Sequence, residues 1–364
     1  MNRKFVRTSA TAAAALTLAL GLTACGAANE NGGKEPAGSK LAGTLNAGGS
    51  SAQESAVAAW KKAFQSTNPG VTVNYDPVGS GGGREQFIAG GLALAGSDAY
   101  LDDEELKKAK DRCKSDIVEV PTYVSPIAVI YNLDGVDRLN LSPKTVAGIF
   151  EGKITTWNDA AVKADNPKAT LPSSKITPVH RSDDSGTTEN FTDYLDQAGE
   201  GAWTGGKTKT WPVKSGEAAE GTSGVVAAVS NGKGTIGYAD AGQAGDLGQA
   251  YIKVGDGYTQ PSASAAAKVL DASTQVEGRG ATDIAIAVDR KVTEKGVYPV
   301  VLVSYQIVCQ QYDDKATADL VKAWLEYVTS AEGQQVAAKD AGSAPLSDAI
   351  AGKVVQAVET IQAG

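Results

Sequence analysis

The run HRSDDSGTTENFTDYL, residues 180–195, reads as the end of a strand, a polar turn and the start of a helix. Arg181 opens it, and Ser182, Asp183 and Asp184 make the turn. Ser185, Gly186 and Thr187 then precede Phe191, Tyr194 and Leu195, apolar residues at helical spacing. A helix N-terminus leaves backbone N–H groups without intrahelical partners, and here two hydroxyls stand beside them. Such an end suits an anion. Gly186 admits close backbone approach, and Arg181 offers a planar fork of donors to oxygen atoms. The same residues would also serve as a plain N-cap with a surface arginine nearby, so the rest of the chain must separate the two readings.

Upstream the construction repeats. Residues 41–47 read as a strand, Gly48-Gly49-Ser50-Ser51 as a turn, and residues 52–67 as a helix with Val57, Trp60 and Phe64 on one face. Ser51 and Glu54 have the spacing of a capping box. Residues 71–78 alternate as a strand. Gly79-Ser80-Gly81-Gly82-Gly83 follows, and then a short helix carrying Phe87 and Ile88. Those glycines either let the backbone wrap a ligand or make a flexible surface loop. Residues 92–95 form a short apolar run before Gly96-Ser97-Asp98, and residues 101–110 a helix that is acidic first and basic last.

Residues 117–132 (IVEVPTYVSPIAVIYN) exceed an ordinary strand and contain Pro121 and Pro126. We expect two strands there, with a crossing between domains. Ser142 and Pro143 start a helix, Trp157 anchors a turn, and residues 176–179 are the strand that enters the opening run. A helix over 221–230 and a strand over 234–238 follow. Residues 298–308 (YPVVLVSYQIV) supply a partner for the first crossing. Residues 316–329 form an amphipathic helix with Leu320, Ala323, Trp324 and Tyr327 inward, and residues 352–362 a last helix. Strands alternating with helices argue an α/β fold.

The length of 364 residues suits two domains. A formal net charge of −8 gives no sign of nucleic-acid binding. Residues 1–24 read as a signal peptide, with Arg3, Lys4 and Arg7 ahead of an Ala/Leu-rich run. Leu22-Thr23-Ala24-Cys25 resembles a bacterial lipobox, whose cysteine is acylated, palmitate being one such acyl group; the alternative is a plain secretory signal. Cleavage before Cys25 removes three positive charges and takes the net charge from −8 to about −11. Residues 25–40 are polar and Gly-rich, a flexible tether from lipid to fold. The chain is therefore expected on the outer face of the cell membrane, lipid-anchored. Outside the reducing cytosol, Cys113 and Cys309 form a disulfide or remain as two buried thiols.

No G-x-S-x-G elbow occurs, the GSGGG run fits neither the Walker A nor the G-x-G-x-x-G spacing, and no His/Cys cluster suggests a metal. No cofactor is implied. His180 is the single histidine. It neighbours Arg181 in a strand, so the two side chains point to opposite faces, and we assign His180 to structure. What remains is neutral donors, one arginine and one aspartate at separate strand ends. That inventory binds an oxyanion rather than transforming it, in the crevice beyond the carboxyl ends of the strands.

The motifs GGSS…W, VNYDPVGSGGG, AGSDAYL, LSPKTVAGIFEGKITTWND, HRSDDSGTT, GTIGY and YPVV occur in that order over most of the mature chain. This series resembles the phosphate-binding proteins of bacterial high-affinity phosphate ABC transporters. The resemblance implies a two-domain flytrap of the type II periplasmic-binding-protein kind, each domain a mixed sheet flanked by helices, with two hinge crossings. It places domain I at residues 41–124 plus 303–364 and domain II at 125–302. It implies a phosphate site of Ser50, Ser51, the backbone of Ala52, Ser80, Asp98, Arg181, Ser185, Gly186 and Thr187, with Asp183 steadying the arginine. The implied partners are permease subunits with their cytoplasmic ATPase, for a monomer that is not an enzyme. The family usually has Thr-Phe-Pro where this chain has Ser51-Ala52-Gln53, so the first loop keeps its hydroxyl and loses proline and aromatic packing. Asp98 would repel an anion unless the ligand brings a proton. Phosphate carries one at neutral pH and sulfate does not, so the acid would select phosphate. The competing readings are a secreted phosphatase-like hydrolase using Ser185 or Ser80, and a binding protein for another oxyanion.

Overall fold

The computed structural model describes residues 41–364. The expected signal peptide over 1–24, the tether over 25–40 and Cys25 lie outside the described residues. β1 (Ala42–Gly49) leads into α1 (Glu54–Thr67), β2 (Gly70–Asp76) into α2 (Ser80–Ile88), and β3 (Leu94–Ser97) into α3 (Asp103–Cys113). β1 pairs in parallel with both β2 and β3, so the three strands end on one edge, where their helices begin. α1 buries Ala56, Val57, Trp60 and Phe64, the face the spacing predicts.

Two helix starts differ from expectation. Ser51 and Glu54 form no capping box. Instead Ser50 Oγ accepts the amides of Ala52 and Gln53 at 3.1 and 3.2 Å, so the hydroxyl one residue earlier closes the turn. A capping box does form at α3, between Asp102 and Glu105. α2 begins at Ser80 and takes Gly81, Gly82 and Gly83 into the helix, not into the loop before it. Glycine in a helix costs roughly 1 kcal/mol relative to alanine. Close approach explains its use: a Cβ on Gly83 would stand 2.4 Å from Gly49 Cα, so no side chain fits between α2 and β1.

β4 (Ile117–Asn132) is one continuous strand, not the two expected. α4 (Pro143–Phe150) and α5 (Ala160–Asp165) follow it. Then come β5 (Thr177–Arg181), α6 (Gly186–Ala198), β6 (Glu217–Ala219), α7 (Gly221–Asn231) and β7 (Thr235–Asp240). α8 (Ala263–Ala272), β8 (Val301–Cys309), α9 (Lys315–Thr329), α10 (Ala331–Ala341) and α11 (Asp348–Glu359) complete the main elements. The strand order is β2-β1-β3-β8-β4-β7-β5-β6. Residues 117–126 of β4 pair antiparallel with β8, while residues 127–132 pair antiparallel with β7. One strand thus carries the chain from one half of the curled sheet to the other. Pro126 stands at this exchange, and Pro121 beside a register shift between Ser304 and Tyr305 of β8. Both prolines fall where the ladder is already interrupted, which is where a strand tolerates a missing amide.

The first half of the fold is β2-β1-β3-β8, with α1 packed on α10 and α9 on β1 and α11. In the second half α7 packs on β7 and β5, and α4 on α6. β4 is buried on both faces. Ile127, Val129 and Tyr131 join the main core, while Ala128 and Ile130 meet Val179, Val225, Val229 and Ala239. Cys113, at the end of α3, bonds to Cys309, at the end of β8, with Sγ atoms 1.97 Å apart. That link closes a loop 196 residues long, worth about 2–5 kcal/mol to the folded state.

Candidate functional site

Asp98 directly follows β3 and is 2% exposed. Ser50, just past β1, donates to Asp98 Oδ1 at 2.5 Å, and Ser304, in the middle of β8, donates to the same oxygen. Thr187, in the first turn of α6, donates to Oδ2 at 3.0 Å from the other half of the fold. The main chain is fixed as well. Asp98 N donates to Ser80 Oγ at 3.0 Å, and Asp98 O accepts from Asn190 Nδ2 at 2.6 Å. A buried carboxylate must have its lone pairs matched. Here hydroxyls match them, and no lysine, arginine or histidine pairs with Asp98 among the described residues.

Arg181, at the end of β5, is 3% exposed. Its Nε donates to Asp183 Oδ1 at 2.7 Å and its Nη2 to Asp183 Oδ2, a bidentate pair. Gly221 N, at the start of α7, also donates to Asp183 Oδ1, at 3.1 Å. Burial by itself would raise the Asp183 carboxyl. The hydrogen bond and charge of Arg181, with the Gly221 amide, outweigh it and hold the group below its ordinary value. Ser185 Oγ accepts Thr188 N at 3.1 Å and so caps α6.

The two halves touch around these groups. A Cβ on Gly186 would lie 2.7 Å from Ser80 Oγ and 2.8 Å from Asp98 Cβ, and one on Gly79 would lie 2.4 Å from Asp183 Oδ2. Gly81 N donates to Asp184 O at 3.0 Å. Ser51 Oγ lies 3.0 Å from Thr222 Oγ1 and accepts Thr222 N at 3.0 Å, while Gln243 Nε2 donates to Ser51 O and Ala52 O, both at 2.9 Å. Ser50, Ser51, Ala52, Ser80, Asp98, Arg181, Asp183, Ser185, Gly186 and Thr187 therefore occupy one neighbourhood, where strand ends from both halves meet. The unusual first loop is filled by Gln53, whose Nε2 donates to Tyr305 O at 3.0 Å. His180 points elsewhere. Its half-buried ring stacks on Trp211 at 4.9 Å, and burial lowers its pKa against the opposing hydrogen bond to Arg181 O.

Sequence reasoning missed Ser304, Thr222, Asn190 and Gln243. Ser304 had a signal: it is the one serine inside the strand run VLVSYQIV, and a buried polar group needs a partner. Thr222 stands in another Gly-Thr helix start, like Thr187. Asn190 and Gln243 carried no local signal.

Residues 34–332 match the family model described as a PBP superfamily domain. Phosphate-binding protein PstS3 of Mycobacterium bovis is 38% identical over 328 residues, covering 87% of this chain and 86% of that protein. The chain belongs to the PstS family. A second member, phosphate-binding protein PstS2 of Mycobacterium bovis, is 34% identical over 377 residues, covering 98% of this chain and all of that protein. A similar fold is seen in a solved structure, a high-affinity periplasmic phosphate-binding protein (PfluDING) with phosphate bound. It superposes with a TM-score of 0.69 at 21% identity, over 86% of this chain and 93% of its own. The curled mixed sheet with flanking helices is accordingly the two-domain periplasmic-binding-protein fold.

Proposed function

We propose that this PstS-family chain binds inorganic phosphate between its two halves, outside the cell membrane, and delivers it to the permease of an ABC transporter for import. Asp98 carries the reading. It is a buried carboxylate set among neutral donors, opposite an arginine already paired with Asp183. A carboxylate facing an anion is repulsive unless a proton lies between them. Phosphate brings that proton, and sulfate would leave a lone pair on Asp98 facing its own. Rejection by an unmatched buried polar group reaches about 10⁴–10⁵-fold.

In this reading Ser51, the Ala52 amide, Ser80, Arg181, Ser185, the Gly186 amide and Thr187 hold phosphate oxygens, Ser50 shapes the first loop and Asp183 steadies Arg181. Residues 41–124 with 303–364 form one domain and residues 125–302 the other, hinged through β4 and the approach to β8. Cys25 carries the lipid that keeps the protein on the outer face of the membrane. The protein acts as a monomer, docks on permease subunits served by a cytoplasmic ATPase and catalyses no reaction. Ser185 Oγ accepts the Thr188 amide as the cap of α6, and His180, the single histidine, stacks on Trp211.

Titrating the purified protein while following tryptophan emission tests this. Phosphate and arsenate should saturate the change and sulfate should not. Sulfate binding as tight as phosphate would overturn the assignment.

A further inference from the structure

A carboxylate oxygen has two lone-pair directions, and Asp98 divides its oxygens unequally. Oδ1 receives both Ser50 and Ser304, while Oδ2 receives only Thr187, at 3.0 Å. The Ser50 hydroxyl has little freedom. Its oxygen already accepts the amides of Ala52 and Gln53 at 3.1 and 3.2 Å, so its single proton goes to Asp98. Ser304 comes from the opposite direction, out of the strand beside β4. The register of β8 against β4 shifts between Ser304 and Tyr305, the extra residue being Thr122 on β4. Ser304 itself is fully buried in a run of apolar neighbours. A hydroxyl there is costly without a partner, and its partner is Asp98 Oδ1.

Resting on the phosphate-binding reading above, we infer that Ser304 is a specificity-determining positioning residue, which with Ser50 fills Asp98 Oδ1 and leaves Oδ2 as the oxygen that meets the ligand's proton. Two donors on Oδ1 fix the carboxylate plane and oppose placing a proton on that oxygen. The acid then faces the ligand only as an acceptor, which is what discriminates a protonated oxyanion from an unprotonated one. Removing Ser304 frees one direction on Oδ1. The carboxyl can then rotate, and its acceptor edge is no longer fixed toward the ligand.

The test is Ser304→Ala, titrated with phosphate and with sulfate alongside the parent protein. Phosphate affinity should fall about 10- to 100-fold, the loss expected for a hydrogen bond to a charged group. The phosphate-to-sulfate ratio should fall further, because a carboxyl free to turn no longer presents a fixed acceptor edge to the anion. Ser304→Thr keeps the hydroxyl and should restore the ratio. Should the alanine variant not fold, Ser304→Cys keeps the volume with only a weak donor and should show the same change of ratio. A folded variant that loses both anions equally, with the ratio unchanged, would make Ser304 merely structural and overturn the inference. A parent that does not prefer phosphate would instead sink the functional reading itself.

Discussion

Each half of the fold brings one carboxylate to the site, Asp98 buried and Asp183 half-buried, and the two are treated in opposite ways. Asp183, in the second half, is clasped by the Arg181 guanidinium and the Gly221 amide. Asp98, in the first half, is met by hydroxyls alone. The difference separates two tasks. The Arg181–Asp183 pair offers fixed positive donors whose charge is already balanced, so an anion can approach without a loose cation nearby. Asp98 offers an acceptor with no balancing charge, which, under the proposed function, tolerates only a ligand that brings a proton. On the phosphate-binding proposal, one side supplies attraction and the other reads protonation.

Breaking the charged side should have the largest effect. Arg181→Ala removes the donors and leaves half-buried Asp183 without its cation, a change approaching the roughly 3–5 kcal/mol of breaking a buried pair. Phosphate affinity should fall by about 10³-fold in calorimetric titration, with sulfate falling in proportion, since this side does not distinguish the two. A loss below about tenfold would show that Arg181 is not a principal donor. The same variant has a signature in acid. Asp183 is depressed in the folded protein, so it contributes stability above its unfolded value of about 3.9, and that contribution is lost as pH falls through its lower folded value. In Arg181→Ala the depression goes, and acid unfolding of the variant should begin at higher pH.

A second change sharpens the comparison by touching neither carboxylate's chemistry. Gly186 is the seam between the two sides, and its added Cβ would meet Ser80 Oγ and Asp98 Cβ. Gly186→Ala therefore keeps every donor and props the halves apart. Overpacking of this size costs about 1–3 kcal/mol, so phosphate affinity should drop roughly 10- to 100-fold while the phosphate-to-sulfate ratio stays near that of the parent. A collapsed ratio would show that Asp98 itself moves.

The local grammar of the site was legible, since a strand, a Gly/Ser/Thr turn and a helix are adjacent in sequence. It placed Ser185, Gly186 and Thr187 at a helix start, while Ser80, expected in the loop ahead of α2, opens that helix. What was not legible depends on distance. Ser304 reaches Asp98 across 206 positions and Thr222 reaches Ser51 across 171, and no spacing announces either. β4 was expected as two strands because its prolines were read in isolation. Its change of partner from β8 to β7, which accommodates Pro126 within one strand, exists only once the sheet is assembled. The Ser51–Glu54 box failed for a related reason: Ser50 was free to take the Ala52 and Gln53 amides because Asp98 fixed its proton.

The smallest effect concerns contacts between the halves that lie outside the site. Lys209, from the segment after α6, reaches Glu105 on α3 at 3.1 Å, and Glu105 also pairs with Arg84 at 3.1 Å. Lys209 is partly exposed, so solvent screens its charge, and such a pair is worth about 0.2–1 kcal/mol. It is made only when the halves are together, so it should add to closure without discriminating between anions. Lys209→Ala should weaken phosphate by at most about fivefold, with the loss shrinking as salt is added. Arg181→Ala should respond far less to salt, because Arg181 is buried. If Lys209→Ala instead cost as much as Arg181→Ala, closure rather than the two carboxylates would dominate affinity, and the division of labour between Asp98 and Asp183 would have to be abandoned.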